Sequence, residues 1–329
     1  MAIRLLACAA IAALALSATA QAQTYKPTSL KVAPDVPRTS EGKPDLQGVW
    51  ESPYIAGLTG IPLLTPPSLV ITEAQSKTAQ ETMIKGMTGN PLIALDPEII
   101  DLMTSLRGFP LVRGERRSRL LVMPTDGKLP VTQAAQAEIA RTMFQLLAGA
   151  MKADNPEDRA PTERCLAQGG VAPFQIPVGF SPLQLVQTRG HFVIHSEIGD
   201  ELRIAPFGGQ HGDGRTAPPM GDGIAGWEGD TLVVETTHSP AMQRLRVTPF
   251  GGLIVNPDAR VIERFTLVSR NEILYQFTIE DPNVFTAPWL GEFSLFRAAY
   301  NLHPSACHEA NYGLANILSG ARYEEAFPP

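Results

Sequence analysis

Residues 260–280 read RVIERFTLVSRNEILYQFTIE. Val261, Glu263, Phe265 and Leu267 occupy alternate positions, Arg270-Asn271 breaks the run, and Ile273, Tyr275, Phe277 and Ile279 then alternate again. A period of two in two segments joined by a polar turn predicts neighbouring antiparallel strands, each with one apolar face. The period continues outward. Leu183–Gln187 and His191–Ile198 flank Thr188-Arg189-Gly190 as a short hairpin, and Glu201–Phe207 extends the meander. Trp227-Glu228-Gly229-Asp230 turns into Thr231–Thr237, and Glu292–Asn301 forms a further strand. Short, evenly spaced antiparallel strands from about 174 to 301 predict a mainly β fold with helices: a curved antiparallel sheet, a barrel or a sandwich.

Before residue 160 the period is helical. Thr72 caps a helix running to about Met87, and Asp96-Pro97-Glu98 starts another that Gly108 ends. Thr132 opens the clearest helix, with Ile139, Met143, Leu146, Leu147, Ala150 and Met151 at helical spacing. Ser118–Met123 with the turn Asp126-Gly127 reads as a strand and hairpin between them. These elements make a helical insertion over about 72–155, expected to pack outside the sheet or over one mouth. A last helix over about Asn311–Glu325, with Leu314, Ile317, Leu318 and Ala321 on one face, is expected against the sheet's wall. Residues 23–45 carry four prolines and read as an extended leader to a first strand at Leu46–Trp50, so 46–329 is read as one domain.

The 329 residues include 27 Lys+Arg against 33 Asp+Glu, a net charge of −6, with 44% hydrophobic and 18% charged residues. This balance excludes a general nucleic-acid binder, and the apolar fraction excludes a disordered chain. Residues 1–22 have one positive charge at Arg4, an apolar run from Leu5 to Leu16, and two A-x-A sites, Ala18-Thr19-Ala20 and Ala20-Gln21-Ala22. That is the pattern of a cleavable secretory signal and predicts a periplasmic or secreted protein. No later run approaches the roughly 20 apolar residues of a membrane helix. Cleavage removes Cys8 and leaves Cys165 and Cys307. In an oxidising compartment these are expected to pair, closing a loop long enough for roughly 5 kcal/mol of chain-entropy stabilisation. The alternative is a catalytic thiol at Cys307, beside His308.

The stretches GKPDLQGVW (42–50), GWEGDTLVVETT (226–237), ERF (263–265), TIEDP (278–282), APW (287–289) and CHEANYGLANILSGARYEE (307–325) together resemble a large family of uncharacterised secreted bacterial proteins. Its members carry PDLxGxW, WEGDTLVVET and CHEGNY-type motifs. The match covers about 42–50 and most of 160–325, and implies no general activity. Gly48-x-Trp50 also resembles the first strand of lipocalin-like barrels, and a curved antiparallel sheet or a lipocalin-like β-barrel is the expected form. The chain departs from the family at Ala310, at His238, and in an enlarged loop at 239–259.

Familiar catalytic signatures (G-x-S-x-G, a Walker loop, H-E-x-x-H, C-x-x-C) are missing. Gly208–Gly226 reads as a glycine-rich surface loop rather than a phosphate cradle. His191 and His195 share a strand face but stand about 13 Å apart, too far to bind one metal ion at about 2 Å each. His211 with Asp213 supplies only two ligands. No metal and no cofactor are expected.

Two groups of residues remain. His308 and Glu309, with Asn311 and Tyr312, sit at the start of the last helix; a carboxylate can orient a histidine that moves protons, or these residues can simply cap the helix. Glu235, Glu263 and Glu280 lie in apolar strands and need partners such as Arg203 or Arg264, because an unpaired buried charge is very costly. The expected site lies at one end of the barrel, between the Gly208–Gly226 loop and the His308 turn. In it His308 shuttles a proton, Glu309 orients it, and Arg264 or Arg203 holds an anionic group. Glu280 and Asp281 are the alternative base, with His211 contributing and Trp289 and Tyr300 stacking on an apolar or aromatic small molecule. Three functions follow: a cofactor-independent lyase, isomerase or hydrolase; a lipocalin-type binding protein; or a carbohydrate-active hydrolase with two facing carboxylates.

Overall fold

Alternation at 260–280 builds two long neighbouring strands, and the other alternating segments join them edge to edge. The computed structural model describes residues 34–54, 57–60, 68–88, 107–147, 151–161, 163–166, 171–174, 182–216, 218–248 and 251–327. The signal segment, residues 23–33 of the leader and the body of the helix expected from Asp96 lie outside the described residues.

The strands are β1 Gly48–Glu51, β2 Leu111–Val112, β3 Glu115–Arg116, β4 Leu121–Met123, β5 Leu183–Gln187, β6 His191–Ser196, β7 Glu201–Pro206, β8 Asp222–Glu228, β9 Thr231–Thr237, β10 Leu245–Thr248, β11 Gly251–Ile254, β12 Arg260–Ser269, β13 Glu272–Glu280 and β14 Trp289–Arg297. The main sheet runs β7-β6-β5-β1-β14-β13-β12-β9-β8, with β4 also pairing with β14. Its pairings are antiparallel. The two ends of this path meet where Phe207, after β7, bridges Ala225 of β8 in parallel, and Gly208 N–H donates to the Ala225 carbonyl at 3.1 Å. The result is a nearly closed nine-strand antiparallel barrel, as expected.

Its interior follows from register. Glu263 faces Phe277 and Phe265 faces Tyr275 across β12 and β13, so the alternating set of one strand meets that of the next. Phe192, Phe265, Tyr275, Phe277 and Phe293 are buried, and Tyr275 lies 5.1 Å from Phe265 and 4.9 Å from Phe293 between ring centres. The ring of Phe174, from the 171–174 segment, enters among them 5.0 Å from Tyr275. Aromatic side chains occupy the barrel's interior. On β1, Trp50 is fully buried and its indole N–H donates to the Leu46 carbonyl at 2.9 Å.

The helices form where the caps predict. α1 spans Glu73–Thr88: Thr72 and Gln75 exchange a capping pair, Gln75 N–H to Thr72 Oγ1 and Thr72 N–H to Gln75 Oε1. α2 spans Gln133–Leu147, with Ala135 N–H donating to Thr132 Oγ1. Glu138 of α2 pairs with both terminal nitrogens of Arg244, beside the β10–β11 hairpin. That hairpin is made from the 239–259 segment expected as an enlarged loop.

α3 spans Tyr312–Ala326 and buries no residue. Among the described residues its tethers run to the 153–165 segment. Arg322 donates to the Asp154 carbonyl at 2.7 Å, Asn311 donates to the Glu163 carbonyl at 2.8 Å, and the Cys165–Cys307 disulfide spans 142 positions just before it. None of these bonds reaches a barrel strand, and the face of Leu314, Ile317, Leu318 and Ala321 is half-buried. No described helix is long and apolar enough to cross a membrane.

Candidate functional site

Antiparallel register aligns Val49 with Gln184, Gln184 with His195, and His195 with Leu202 across β1, β5, β6 and β7. Their neighbours Trp50, Leu185 and Ile194 are core residues, so alternation puts this row on the outer face. The chain leaving β14 folds over it. His303 N–H donates to Glu197 Oε2 at 2.8 Å, and Gly199 N–H donates to Ser305 Oγ at 3.1 Å. Between the row and residues 301–304 lies a cleft of about 240 Å³, floored by Val49, Gln184, His195 and Asp200 and roofed by Asn301, Leu302, His303 and Pro304.

The turn between β6 and β7 places the chemistry. Gly199 and Asp200 both have left-handed backbones, φ +80° and +53°; glycine adopts this freely, and aspartate more readily than most residues. The turn brings Asp200 back beside the strand it follows, with Oδ1 2.5 Å from His195 Nε2. A carboxylate on Nε2 holds the proton there and leaves Nδ1 as the basic nitrogen. Nδ1 has no partner among the described residues, and the His195 side chain is 23% exposed.

A second histidine cluster lies at the glycine-rich loop. His211 Nδ1 is 3.3 Å from Asp222 and its Nε2 is 3.4 Å from Glu235. His238 stands 3.9 Å from Asp222. Arg260 bridges Glu235 at 2.5 Å and Glu280 at 3.0 Å, and holds the Glu235 carboxyl below the usual carboxylate range. Both nitrogens of His211 lie within ion-pair distance of carboxylates. His195, in contrast, lines the cleft and has one ring nitrogen without a partner among the described residues.

The residues singled out from the sequence are dispersed. His308 and Glu309 are exposed, and neither side chain makes a hydrogen bond or ion pair among the described residues. Asn311 caps α3 by accepting the Leu314 N–H at 3.3 Å, and Tyr312 is exposed. Tyr300 adjoins the cleft's roof and donates to Glu51 Oε2 at 2.6 Å. The segment before His308 touches the turn that leads into β7, at Gly199, whereas the glycine-rich loop leaves the strand's far end. Those six residues span about 20 Å, and no hydrogen bond or ion pair among the described residues joins the two regions.

Other expectations are corrected by burial or direction. Trp289 cannot stack on a ligand, because it is buried 5.7 Å from Phe277 and 5.5 Å from Phe285 between ring centres. Asp281 is buried and organises its loop, accepting the backbone N–H groups of Asn256 and Asn283. Arg203 and Arg264 cannot serve one site. Arg203 points into the core onto Glu263, while Arg264 lies on the other face of β12, 3.3 Å from Glu228.

The His195–Asp200 pair escaped the sequence reading, which considered His195 only as a possible metal partner of His191. The signal was an aspartate in a Gly-Asp turn five residues beyond a strand histidine. Comparisons with family models, curated proteins and solved structures find no match to the chain.

Proposed function

We propose that the protein is an exported enzyme that moves protons on a small molecule held in the outer cleft, with His195 as acid–base group and Asp200 as its positioning partner. The observation that carries this reading is the 2.5 Å His195–Asp200 contact beside a cleft of about 240 Å³. His195 Nδ1 takes a proton from a substrate carbon or hydroxyl, while amide N–H groups of Gln184 and Asn301 steady the charge left behind. Return of the proton to a different atom makes the reaction an isomerisation; departure of a neighbouring group makes it an elimination. Asp200 stabilises the imidazolium in between. The rival readings have weaker support. The aromatic filling of the barrel speaks against a lipocalin-type internal pocket. Glu235 and Glu280, both tied to Arg260, are poor candidates for the free acid and base of a carbohydrate hydrolase. Export is supported by the signal pattern of residues 1–22 and by the disulfide, which persists outside the reducing cytoplasm.

Mass spectrometry of metabolite mixtures incubated with the purified protein tests this by revealing which compound changes. With that substrate, His195→Gln should lower the rate roughly 10²–10⁴-fold, Asp200→Asn should lower it with an altered pH profile, and His308→Ala should leave it unchanged. Full activity in a folded His195→Gln protein overturns the assignment. A compound retained without conversion makes the cleft a binding site.

A further inference from the structure

The charges reaching the cleft restrict what enters it. Asp200 lines it, with Oδ1 on His195 and Oδ2 without a partner among the described residues. Glu197 anchors the roof at His303, and Glu51 anchors Tyr300. Burial first, then the hydrogen bond to Glu51 and the charges of Glu51 and Glu197, push the Tyr300 phenol up, so both carboxylates act on this corner.

Nearby arginines are turned away. Arg297 pairs in register with Trp50 rather than Val49; its guanidinium stacks 4.3 Å over the Trp50 ring and donates to the Gln47 carbonyl. Arg203 points inward to Glu263. Among the described residues no lysine or arginine lines the cleft, and its basic groups are the imidazoles of His195 and His303. Its apolar surface comes from Val49, Leu302 and Pro304, continued by Leu202, which follows His195 in the row and is 52% exposed.

We infer that the cleft takes a small amine, whose protonated nitrogen lies against the free oxygen of Asp200 and whose apolar body runs along Leu302 towards Leu202. This rests on the reading of the cleft as the reaction site and adds the substrate's class. The volume suits molecules below drug size, for which pockets begin at about 300 Å³. An anionic substrate is disfavoured, because it would meet Asp200 with no arginine or lysine to offset the repulsion.

Three molecules of matched skeleton test the inference: benzylamine, benzyl alcohol and benzoate, titrated at millimolar concentrations while the imidazole NMR signals are followed. Benzylamine should shift the His195 and His303 signals at about two- to fivefold lower concentration than benzyl alcohol, the scale of one partly exposed ion pair. Benzoate should leave them unmoved. Asp200→Asn should bring benzylamine down to the affinity of benzyl alcohol. Benzoate binding at His195 as tightly as benzylamine, or an amine preference that survives Asp200→Asn, overturns the amine class and leaves the reaction site standing. Silence of His195 towards all three overturns both.

Discussion

Glu263 has no exposed surface, yet it lies on a strand face shared with Val234 and Phe277. Its carboxylate accepts from Arg203 at 2.5 and 2.9 Å and from the Tyr275 hydroxyl at 2.6 Å. The guanidinium also lies 4.7 Å over the Phe174 ring. Burial first, and then Glu263, push the Tyr275 phenol well up, so it remains a donor. Each charge here is tolerated because of the other. Glu263→Gln should therefore cost about 3–5 kcal/mol in urea unfolding by leaving an uncompensated guanidinium, whereas replacing both partners together by Leu and Met should cost much less. A loss below about 1 kcal/mol in the single variant would show that the pair does not hold the core. The need for a partner at Glu263 was legible in the sequence, since a carboxylate amid Val, Ile and Phe has no other way to stay charged. Which arginine supplies it was not. Arg264 is next in sequence but alternation sends it outside, and Arg203 arrives from a strand sixty positions away.

At the scale of elements, capping chemistry made α1 and α2 readable: Thr72 and Thr132 each accept a hydrogen bond in the first turn. The β10–β11 hairpin was not readable because its strands have only four residues each, too few to establish a period. The missed His195–Asp200 pair has a similar cause, since it depends on the handedness of a turn rather than on spacing. Ion pairs fasten these later elements. Arg244 holds Glu138 below the usual carboxylate range, and Arg260 does the same for Glu235. A carboxylate with a depressed folded-state pKa adds stability above its unfolded value of about 4.3, and that contribution is lost as pH falls through the folded value. The thermal midpoint should thus decline as the pH drops below about 4.5. Arg260→Gln should shallow that decline, because Glu235 then loses the partner that holds its carboxyl low. An identical acid slope in wild type and variant would assign the loss to other carboxylates.

For the whole molecule, the disulfide ties the segment before β5 to the segment after β14, so its loop encloses strands β5 to β14. For a loop of 142 positions the chain-entropy relation gives an upper figure of about 5 kcal/mol. Cys165→Ser with Cys307→Ser should lower unfolding stability by about 2–5 kcal/mol and speed proteolysis within 312–326, since α3 buries no residue of its own. Unchanged denaturation would mean that the hydrogen bonds of Asn311 and Arg322 suffice.

The place of β1 in the barrel has a consequence for the order of assembly. It is the first strand among the described residues, yet it lies between β5 and β14, and Trp50 is matched with Arg297. A polypeptide emerging N-terminus first, from a ribosome or through a membrane pore, presents β1 long before its second neighbour exists. The hairpins β5–β6, β8–β9 and β12–β13 can form as they appear, whereas the wall on the β14 side of Trp50 waits until β14 itself has been made. Closure of the cylinder between β1 and β14 is thereby deferred until β14 has emerged.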